Sequence, residues 1–318
     1  MKKVKKIVLI TAGTIVILIV AILSYITLAL PNVGAAENIK VELTIPRIAR
    51  GQYLANHVVL CMDCHSTRDE SNPFSAITFD KKGAGGNVFN GAVGFPGEVH
   101  VPNITPFHLK DWTDGEIFRA ITTGVRKDGS AIFPLMPWPY YSQMSREDVY
   151  AVVAYLRTLK PIETSYPRSK LNFPLNILVH TMPQKAELGT IPPVKDTIKY
   201  GEYLTRSAAC KECHSQSNNG KLLPGLEFAG GHSYIVRGKT IYTANITPDK
   251  LTGIGNWTRE AFVKRFKSFT DTTGKAPKPF VTIMPWYDYG GMTETDLKAI
   301  YAYLLTVKPV KNKVVNSF

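Results

Sequence analysis

The sequence predicts an all-α protein in which one amino-terminal transmembrane helix precedes two similar helical domains. Three observations lead to this prediction: an apolar run near the amino terminus, a repeat that relates the two halves of the remaining chain, and matching helix-start signals in both halves. The expected divisions are an anchor and short linker in 1–36, a first domain in 37–165, a Pro-rich connector in 166–198 and a second domain in 199–318.

Residues 7–30 contain no charged side chain, and four Lys lie within the six residues before them. As an α-helix this run would be about 36 Å long, enough to cross a bilayer core of about 30 Å. The Lys residues predict a cytoplasmic amino terminus, with both domains on the outer face of the inner membrane. A cleaved signal peptide is the alternative, because Gly34, Ala35 and Ala36 are small. The run is longer than the roughly 7–15 residues of a signal core, which favours a retained anchor.

The repeat covers most of the chain after the anchor and indicates a tandem duplication. Similar short segments recur in the same order in both halves: 51–54 with 201–204, 103–106 with 245–248, 136–138 with 284–286, and 154–156 with 302–304. The connector between the halves is rich in Pro and shows little periodicity. We therefore expect it to pack along the surface and to fix how the domains meet.

Each half contains the pattern C-x-x-C-H, at 61–65 and at 210–214. This is the attachment signature of a c-type haem: two thiols on one turn of chain bond the porphyrin edge, and the adjacent His binds the iron. The sequence therefore predicts two covalently bound haem c groups. The attachment residues would be Cys61, Cys64, Cys210 and Cys213, and the iron ligands His65 and His214.

The cysteines have two alternative interpretations. All four could form one zinc site, or each pair could be a thioredoxin-like redox centre. Zinc would not explain why His follows the second Cys in both copies, and a redox pair would need a βαβ context that the sequence lacks.

The second axial ligand decides between electron transfer and catalysis, and Met is the expected residue. Two Met pairs recur in the repeat. Met144 and Met292 directly precede helix caps, where an apolar residue packs onto the helix. Met136 and Met284 precede Pro in an aromatic loop and are the predicted iron ligands. The weaker alternatives have no counterpart in the other half: His57, His100, His108, His180, His232 and Met182.

Helices account for the secondary structure that can be read from the pattern, and no run of alternating strand residues stands out. Helix starts are expected at the caps Thr113, Ser145, Thr258 and Thr293. Four further recurring residues carry side-chain N–H groups that could bind haem propionates or could serve as core and turn residues: Asn103, Trp112, Asn245 and Trp257.

The formal net charge is +13, and residues 201–318 contribute 16 basic and 9 acidic residues to it. No basic cluster interleaved with aromatics stands out, so nucleic acid is not an expected partner. The basic second half could steer docking to an acidic protein, or it could be a generally solvated surface.

Both halves resemble class I cytochrome c domains, with the haem motif near the start, a distal Met later and a final helix. In this resemblance Gly51 and Gly201 match the small residue where the first helix crosses the last. Tyr155 and Tyr303 match the aromatic residue that it meets. The chain from about residue 45 is similar to dihaem cytochromes c that accompany membrane-bound bacterial dehydrogenases. Its Asn-Ile-Thr-Pro and Trp-Thr elements are similar to those of the cytochrome subunits of alcohol and gluconate dehydrogenases.

The expected function is single-electron transfer on the periplasmic side of the membrane, without catalysis and without a small-molecule substrate. The donor would be a dehydrogenase or a quinol-oxidising complex, and the acceptor a terminal oxidase or another redox protein. One alternative is an obligate cytochrome subunit of a membrane-bound dehydrogenase complex. Another is a dihaem enzyme such as a peroxidase, which needs one iron with an open or easily vacated site.

Overall fold

The computed structural model describes residues 1–68, 77–218, 220–236, 238–269 and 282–315. Its helices are α1 Lys2–Ala29, α2 Ile45–Tyr53, α3 Cys61–Cys64, α4 Pro106–Leu109, α5 Asp114–Thr123, α6 Trp138–Tyr141, α7 Arg146–Thr158, α8 Leu175–Leu178, α9 Thr197–Ser207, α10 Cys210–Cys213, α11 Arg259–Lys267, α12 Trp286–Gly290 and α13 Glu294–Leu304. A π-helical turn, Leu54–Val58, continues α2, and 3₁₀ turns occur at Phe79–Lys81, Gly91–Val93 and Val179–Thr181.

Within the described residues, short strands form three small antiparallel sheets between the helices, which the prediction of an all-α fold did not include. They are β1 Val88–Phe89, β2 Gly97–His100, β3 Lys170–Leu171, β4 Ser217–Asn218, β5 Lys221–Leu222, β6 Ser233–Val236 and β7 Lys239–Tyr242. The sheet orders are β1-β2-β3, β4-β5 and β6-β7. Strands of two to four residues are too short for the alternation of apolar and polar residues that identifies a strand in sequence.

A pair of crossed helices forms the centre of each half. Helix α2 packs on α7 in the first repeat unit (residues 45–158), and α9 packs on α13 in the second repeat unit (residues 197–304). A glycine lies at each crossing: a Cβ on Gly51 would be 1.7 Å from the Ala151 carbonyl oxygen, and one on Gly201 would be 1.9 Å from that of Ala299. Both glycines occur where the resemblance predicted them, because only glycine permits so close a backbone approach.

The helix caps lie where the sequence predicted them. Thr113 and Glu116 form a complete capping box at the start of α5. The side chains of Ser145, Thr258 and Thr293 each accept a bond from a backbone N–H in the first turn of their helices. These caps fix where the helices that frame the candidate site begin.

Replacing Thr113 by Ala should lower the free energy of unfolding by about 1 kcal/mol, because the N-cap side chain satisfies a backbone N–H of the first turn. Thr258→Ala is the matched comparison, and we expect it to cost less. The capping box at Thr258 is incomplete, since Ala261 occupies the position that Glu116 has in the first repeat unit. Urea denaturation of both variants measures the difference. Equal costs would show that the Glu116 bond to the backbone N–H of residue 113, which Ala retains, does not strengthen the Thr113 cap.

The amino-terminal helix α1 has an apolar window of mean hydropathy 2.9 that is 0% buried, so it is long and apolar enough to cross a membrane. The linker after it lies along the first repeat unit. The backbone N–H of Val41 donates to Asp114 at 2.8 Å, and Glu37 forms a 2.7 Å ion pair with Arg146. A Cβ on Gly115 would lie 1.8 Å from the Glu37 carbonyl oxygen, so the linker backbone presses closely against α5.

The connector follows the surface of the first repeat unit, in agreement with its Pro-rich composition. Strand β3 in this connector pairs with β2, and the backbone N–H of Gly189 donates to the Met144 carbonyl at 3.1 Å. These bonds hold the connector at several points before α9 begins.

Candidate haem-attachment sites

The two C-x-x-C-H motifs adopt the same backbone conformation. Each forms a single helical turn, α3 or α10, preceded by a residue in the left-handed region: Leu60 with φ +52° and Ala209 with φ +50°. Left-handed conformations cost a non-glycine residue about 1–2 kcal/mol. The repetition of this strained residue directly before the first Cys indicates that the turn itself matters in both halves.

The ring orientation of His65 and His214 is fixed by a backbone carbonyl. The Nδ1 atom of His65 lies 2.8 Å from the Pro102 oxygen, and that of His214 lies 2.7 Å from the Ala244 oxygen. A carbonyl only accepts, so Nδ1 carries the proton and Nε2 keeps a lone pair that can bind a metal. Burial lowers the pKa of both imidazoles. The neutral tautomer that an iron ligand requires is therefore favoured at both sites.

The recurring Asn-Ile-Thr-Pro elements hold these carbonyls in place. Asn103 is buried, its amide nitrogen donates to the Ile162 carbonyl at 2.7 Å, and its side-chain oxygen accepts from both the backbone and the hydroxyl of Thr105. Asn245 repeats the arrangement with Val310 and Thr247. The amides are thus occupied within the protein, which makes these residues turn residues rather than propionate ligands. A propionate role for Trp112 and Trp257 stays a prediction.

The cysteines fit haem attachment better than a metal site. Burial raises the pKa of Cys61, Cys64 and Cys210 to about 12, so these thiols are neutral when no metal or haem is bound. Within the described residues, no group of three or more His, Cys, Asp or Glu side chains could hold a metal ion. This argues against the all-cysteine zinc alternative.

The two predicted Met ligands occupy equivalent turns. Met136 and Met284 are partly buried against the core, and each is followed by Pro and a short helix, α6 or α12. The carbonyls of Met136 and Met284 accept the N–H two residues later at 2.7 and 2.8 Å, closing a turn centred on the proline. Met144 and Met292 are 1% exposed within the core, as expected for packing residues.

Two buried tyrosines, one in each repeat unit, join the Met turn to the attachment turn of the same unit. They were not identified from the sequence. Tyr141 in α6 donates to the Val59 carbonyl at 2.6 Å, and Tyr289 in α12 donates to the Ala208 carbonyl at 2.8 Å. Burial raises the pKa of both phenols well above the usual range, so they remain neutral donors. Their matching positions in the repeat were a signal that could have identified them.

The two repeat units contact each other through tyrosines that enter a helix start of the opposite unit. The Tyr203 hydroxyl, from α9, donates to Asp148 at 2.6 Å and accepts the backbone N–H of Ser145 at 3.3 Å. An N-cap N–H is usually bonded by a Glu or Gln side chain at the third helical position. Here the third helical residue is Asp148, whose side chain is shorter than that of Glu or Gln. The tyrosine hydroxyl bridges the Asp148 carboxylate and the N-cap N–H.

The reciprocal contact has the same geometry. The Tyr53 hydroxyl, from α2, donates to Asp296 and accepts the backbone N–H of Thr293 at 3.1 Å. Tyr200 donates to the second oxygen of Asp296 at 3.1 Å. The two units are therefore related by an approximate two-fold arrangement in which each completes the last helix start of the other.

The attachment turns also lie at this interface. Tyr140 in α6 donates to Glu212 in the second motif at 2.8 Å. The equivalent pair joins Asp288 in α12 to Asp63 in the first motif; burial and then the neighbouring Asp63 raise the pKa of Asp288 to about 8. A proton held by Asp288 lets two carboxyl groups share a hydrogen bond. Each attachment turn thus faces the Met-bearing segment of the other unit.

Four of the five histidines without a counterpart in the other repeat unit contact other groups of the protein. His57 donates from Nδ1 to the Asp288 carbonyl at 2.8 Å across the interface, and burial lowers its pKa. His100 lies 2.7 Å from Glu98, and His180 lies 3.2 Å from the Leu30 carbonyl. His232 is near Ser217 and Ser215. These contacts give four of the five histidines structural roles.

A C-x-x-C-H turn whose His is neutral and oriented by a backbone carbonyl is characteristic of c-type cytochromes. The comparison with family models agrees for the second repeat unit: residues 198–308 match the model described as cytochrome c. This chain therefore contains a cytochrome c domain, and a domain of this family holds covalently bound haem c.

The chain is also similar to cytochrome subunits of bacterial dehydrogenases. It is 28% identical over 230 residues to the cytochrome c subunit of the quinone alcohol dehydrogenase of Gluconacetobacter polyoxogenes, covering 67% of this chain and 49% of that one. It is 28% identical over 277 residues to the fructose dehydrogenase cytochrome subunit of Gluconobacter japonicus, covering 82% and 53%. The chain thus spans about half the length of these relatives.

A diheme cytochrome c-type protein of Cereibacter sphaeroides is 26% identical over 264 residues, covering 79% of this chain and 83% of the relative. The resemblance to cytochrome c subunits of membrane-bound dehydrogenases and to dihaem cytochromes, expected from the motifs, is confirmed.

Proposed function

We propose that the protein is a dihaem cytochrome c that carries single electrons and does not catalyse a reaction of its own. The observation that carries this proposal is the repetition of one geometry in both units. Each places a neutral His, oriented by a carbonyl, directly after a turn that carries two half-buried thiols, and each places a Met on an equivalent Pro-centred turn. Two six-coordinate irons would leave no position for a substrate.

The residues of this chain fit two haem c groups with defined roles. Cys61 and Cys64 would hold one group and Cys210 and Cys213 the other, with His65 and Met136, and His214 and Met284, as the axial pairs. When bound, each haem supplies reversible one-electron oxidation of its iron, and Met ligation raises the potential. Buried apolar surroundings and fixed His tautomers limit the rearrangement that accompanies a change of charge.

We further propose that α1 is a retained single-pass anchor in the inner membrane and that both haem domains are periplasmic. The length of the 28-residue helix supports a membrane crossing. The four Lys before the apolar run support the orientation. The donor would be a membrane-bound dehydrogenase or a quinol-oxidising complex, and the acceptor a terminal oxidase or another redox protein. The similarity to dehydrogenase cytochrome subunits supports the first kind of donor.

Carbon monoxide separates a carrier from a haem enzyme. The reduced full-length protein should show no spectral change with carbon monoxide, because His and Met occupy both axial positions of each iron. Met284→Ala should then create a carbon monoxide-binding haem amounting to half of the total. Met292→Leu is the matched control, since Met292 is a buried packing residue and Leu preserves its volume. Carbon monoxide binding by the unmodified protein would contradict the carrier proposal.

An obligate subunit of a dehydrogenase complex is the second candidate, and the named roles of the relatives favour it. Gentle detergent extraction from native membranes, followed by size separation and haem staining, distinguishes the two. A subunit migrates with a dehydrogenase in fixed stoichiometry, whereas a free carrier migrates alone.

A further inference from the structure

The end of α1 is packed against the connector. Most of the helix is exposed, but Ile26 and Leu30 are partly covered, and α1 lies against α8 and the turn Val179–Thr181. The Nδ1 atom of His180 lies 3.2 Å from the Leu30 carbonyl and donates to it. The connector therefore touches the anchor at its carboxyl-terminal turn.

This contact determines where the connector lies along the bilayer normal. The apolar run from Ile7 to Leu30 is about 36 Å long as a helix, and a bilayer core is about 30 Å thick. With the Lys residues at the inner surface, Ile26 and Leu30 lie near the outer boundary of the core. Any segment packed on them lies at the level of the outer headgroups.

The connector presents apolar side chains at this level. Phe173 is 79% exposed and Leu178 is 42% exposed, and both lie at or beside the short helix α8. Phe and Leu side chains are typical of protein segments that lie at the boundary between headgroups and acyl chains. Lys170 precedes this segment, is exposed and provides positive charge for lipid phosphates, whereas Arg168 is paired with Asp128 at 2.7 Å.

We propose that the connector segment 173–178 inserts into the outer headgroup layer of the bilayer that α1 crosses, with Phe173 as the inserted side chain. This proposal rests on the membrane anchoring proposed above. The linker bonds to α5 and α7 already tie the anchor to the first repeat unit. A second membrane contact fixes the tilt of that unit relative to the bilayer. Its haem site is then held at a fixed distance from the membrane surface.

Spin labelling tests the insertion. In the loaded protein all four native cysteines are in thioether bonds, so a cysteine introduced by Phe173→Cys is the only free thiol. The full chain, labelled with a nitroxide and kept oxidised, is placed in nanodiscs of phosphatidylethanolamine and phosphatidylglycerol. Each collision rate is taken as the change in relaxation of the label on adding the reagent, so the constant contribution of the ferric irons cancels. Collision rates with oxygen, which partitions into lipid, and with a soluble nickel chelate then report the environment of the label.

Three labelled positions give distinct outcomes. Ile17→Cys reports the anchor, and Leu251→Cys reports an equally exposed apolar residue of the second repeat unit (80% exposed). We expect oxygen collisions to exceed chelate collisions at 17 and 173 and the reverse at 251. A water-exposed label at 173 with a lipid-exposed label at 17 would overturn this inference alone. A water-exposed label at 17 would refute the anchor itself.

Two further results would also overturn the inference. A label at 173 that is immobilised and shielded from both reagents would indicate a protein partner instead of lipid. A label at 251 that matches the one at 173 would show that exposure alone accounts for the signal.

Discussion

Gly201→Ala is expected to prevent the second repeat unit from folding and therefore to remove one haem from the protein. A Cβ at this position would lie 1.9 Å from the Ala299 carbonyl oxygen and 2.5 Å from its carbon, both of them backbone atoms of α13. Backbone cannot rotate aside as a side chain can, so α9 and α13 would have to separate along their whole contact. We expect a loss of at least about 3 kcal/mol, the upper end of the usual cost of overpacking.

Haem content per chain and urea denaturation measure this effect. Gly91→Ala is the matched control, because its added Cβ would meet nothing within 4 Å and its backbone is not left-handed. Gly51→Ala should produce the same loss in the first repeat unit, where the closest approach is 1.7 Å. A Gly201→Ala protein that keeps two haems and unchanged stability would show that the helices do not cross in this way.

Asp148→Ala is expected to destabilise the protein by about 3 kcal/mol, the lower end for removing one partner of a buried ion pair. Asp148 is 1% exposed and accepts two bonds of 2.9 Å from Arg50 as well as the bond from Tyr203. Burial opposes the charge on Arg50, but the Asp148 carboxylate outweighs it and raises the Arg50 pKa. Without Asp148 that cation would be left without its carboxylate partner in a partly buried position, since the Arg50 side chain is 29% exposed.

The repeat supplies the comparison for this prediction. Asp296 holds the equivalent position, but its partners are the hydroxyls of Tyr53 and Tyr200 rather than a cation. Asp296→Ala should therefore cost only about 1–2 kcal/mol, since it leaves neutral groups unsatisfied. Both variants remove a contact between the units, so both should speed amide hydrogen exchange at the starts of α7 and α13. Equal costs for the two substitutions would contradict the role given to Arg50.

The repeat is what made most of this structure predictable. Thr113, Ser145, Thr258 and Thr293 were predictable as caps because capping depends on residues three positions apart. Gly51 and Gly201 were predictable from the resemblance, because a close backbone crossing accepts only glycine. Local chemistry and a recurring position were sufficient in these cases.

The interface between the units could not be predicted in this way. A tandem repeat shows that Tyr53 and Tyr203 are equivalent, but it does not show whether each contacts its own unit or the other. Their acceptors, Asp296 and Asp148, lie in the opposite copies and far away in sequence. A two-fold arrangement of two copies gives the same sequence pattern as two isolated copies, so these contacts leave no signal in the sequence.

Asn103 and Asn245 illustrate a different limit. Their recurrence indicated a role near the haem, but spacing alone left propionate binding and turn formation equally open. The structure shows that the asparagine side chains hold a loop whose preceding carbonyls orient His65 and His214. The relevant atom belongs to the backbone of Pro102 or Ala244, and backbone direction is not visible in residue type.

Near-infrared magnetic circular dichroism of the oxidised full-length protein, scaled to protein concentration, tests the central claim most directly. It counts low-spin haems and distinguishes a His/Met iron from one with another ligand set. The structure predicts two low-spin haems per chain, both with the His/Met signature. One haem should lose this signature in Met136→Ala, and the other should lose it in Met284→Ala. One haem per chain, or a high-spin haem in the unmodified protein, would contradict the account.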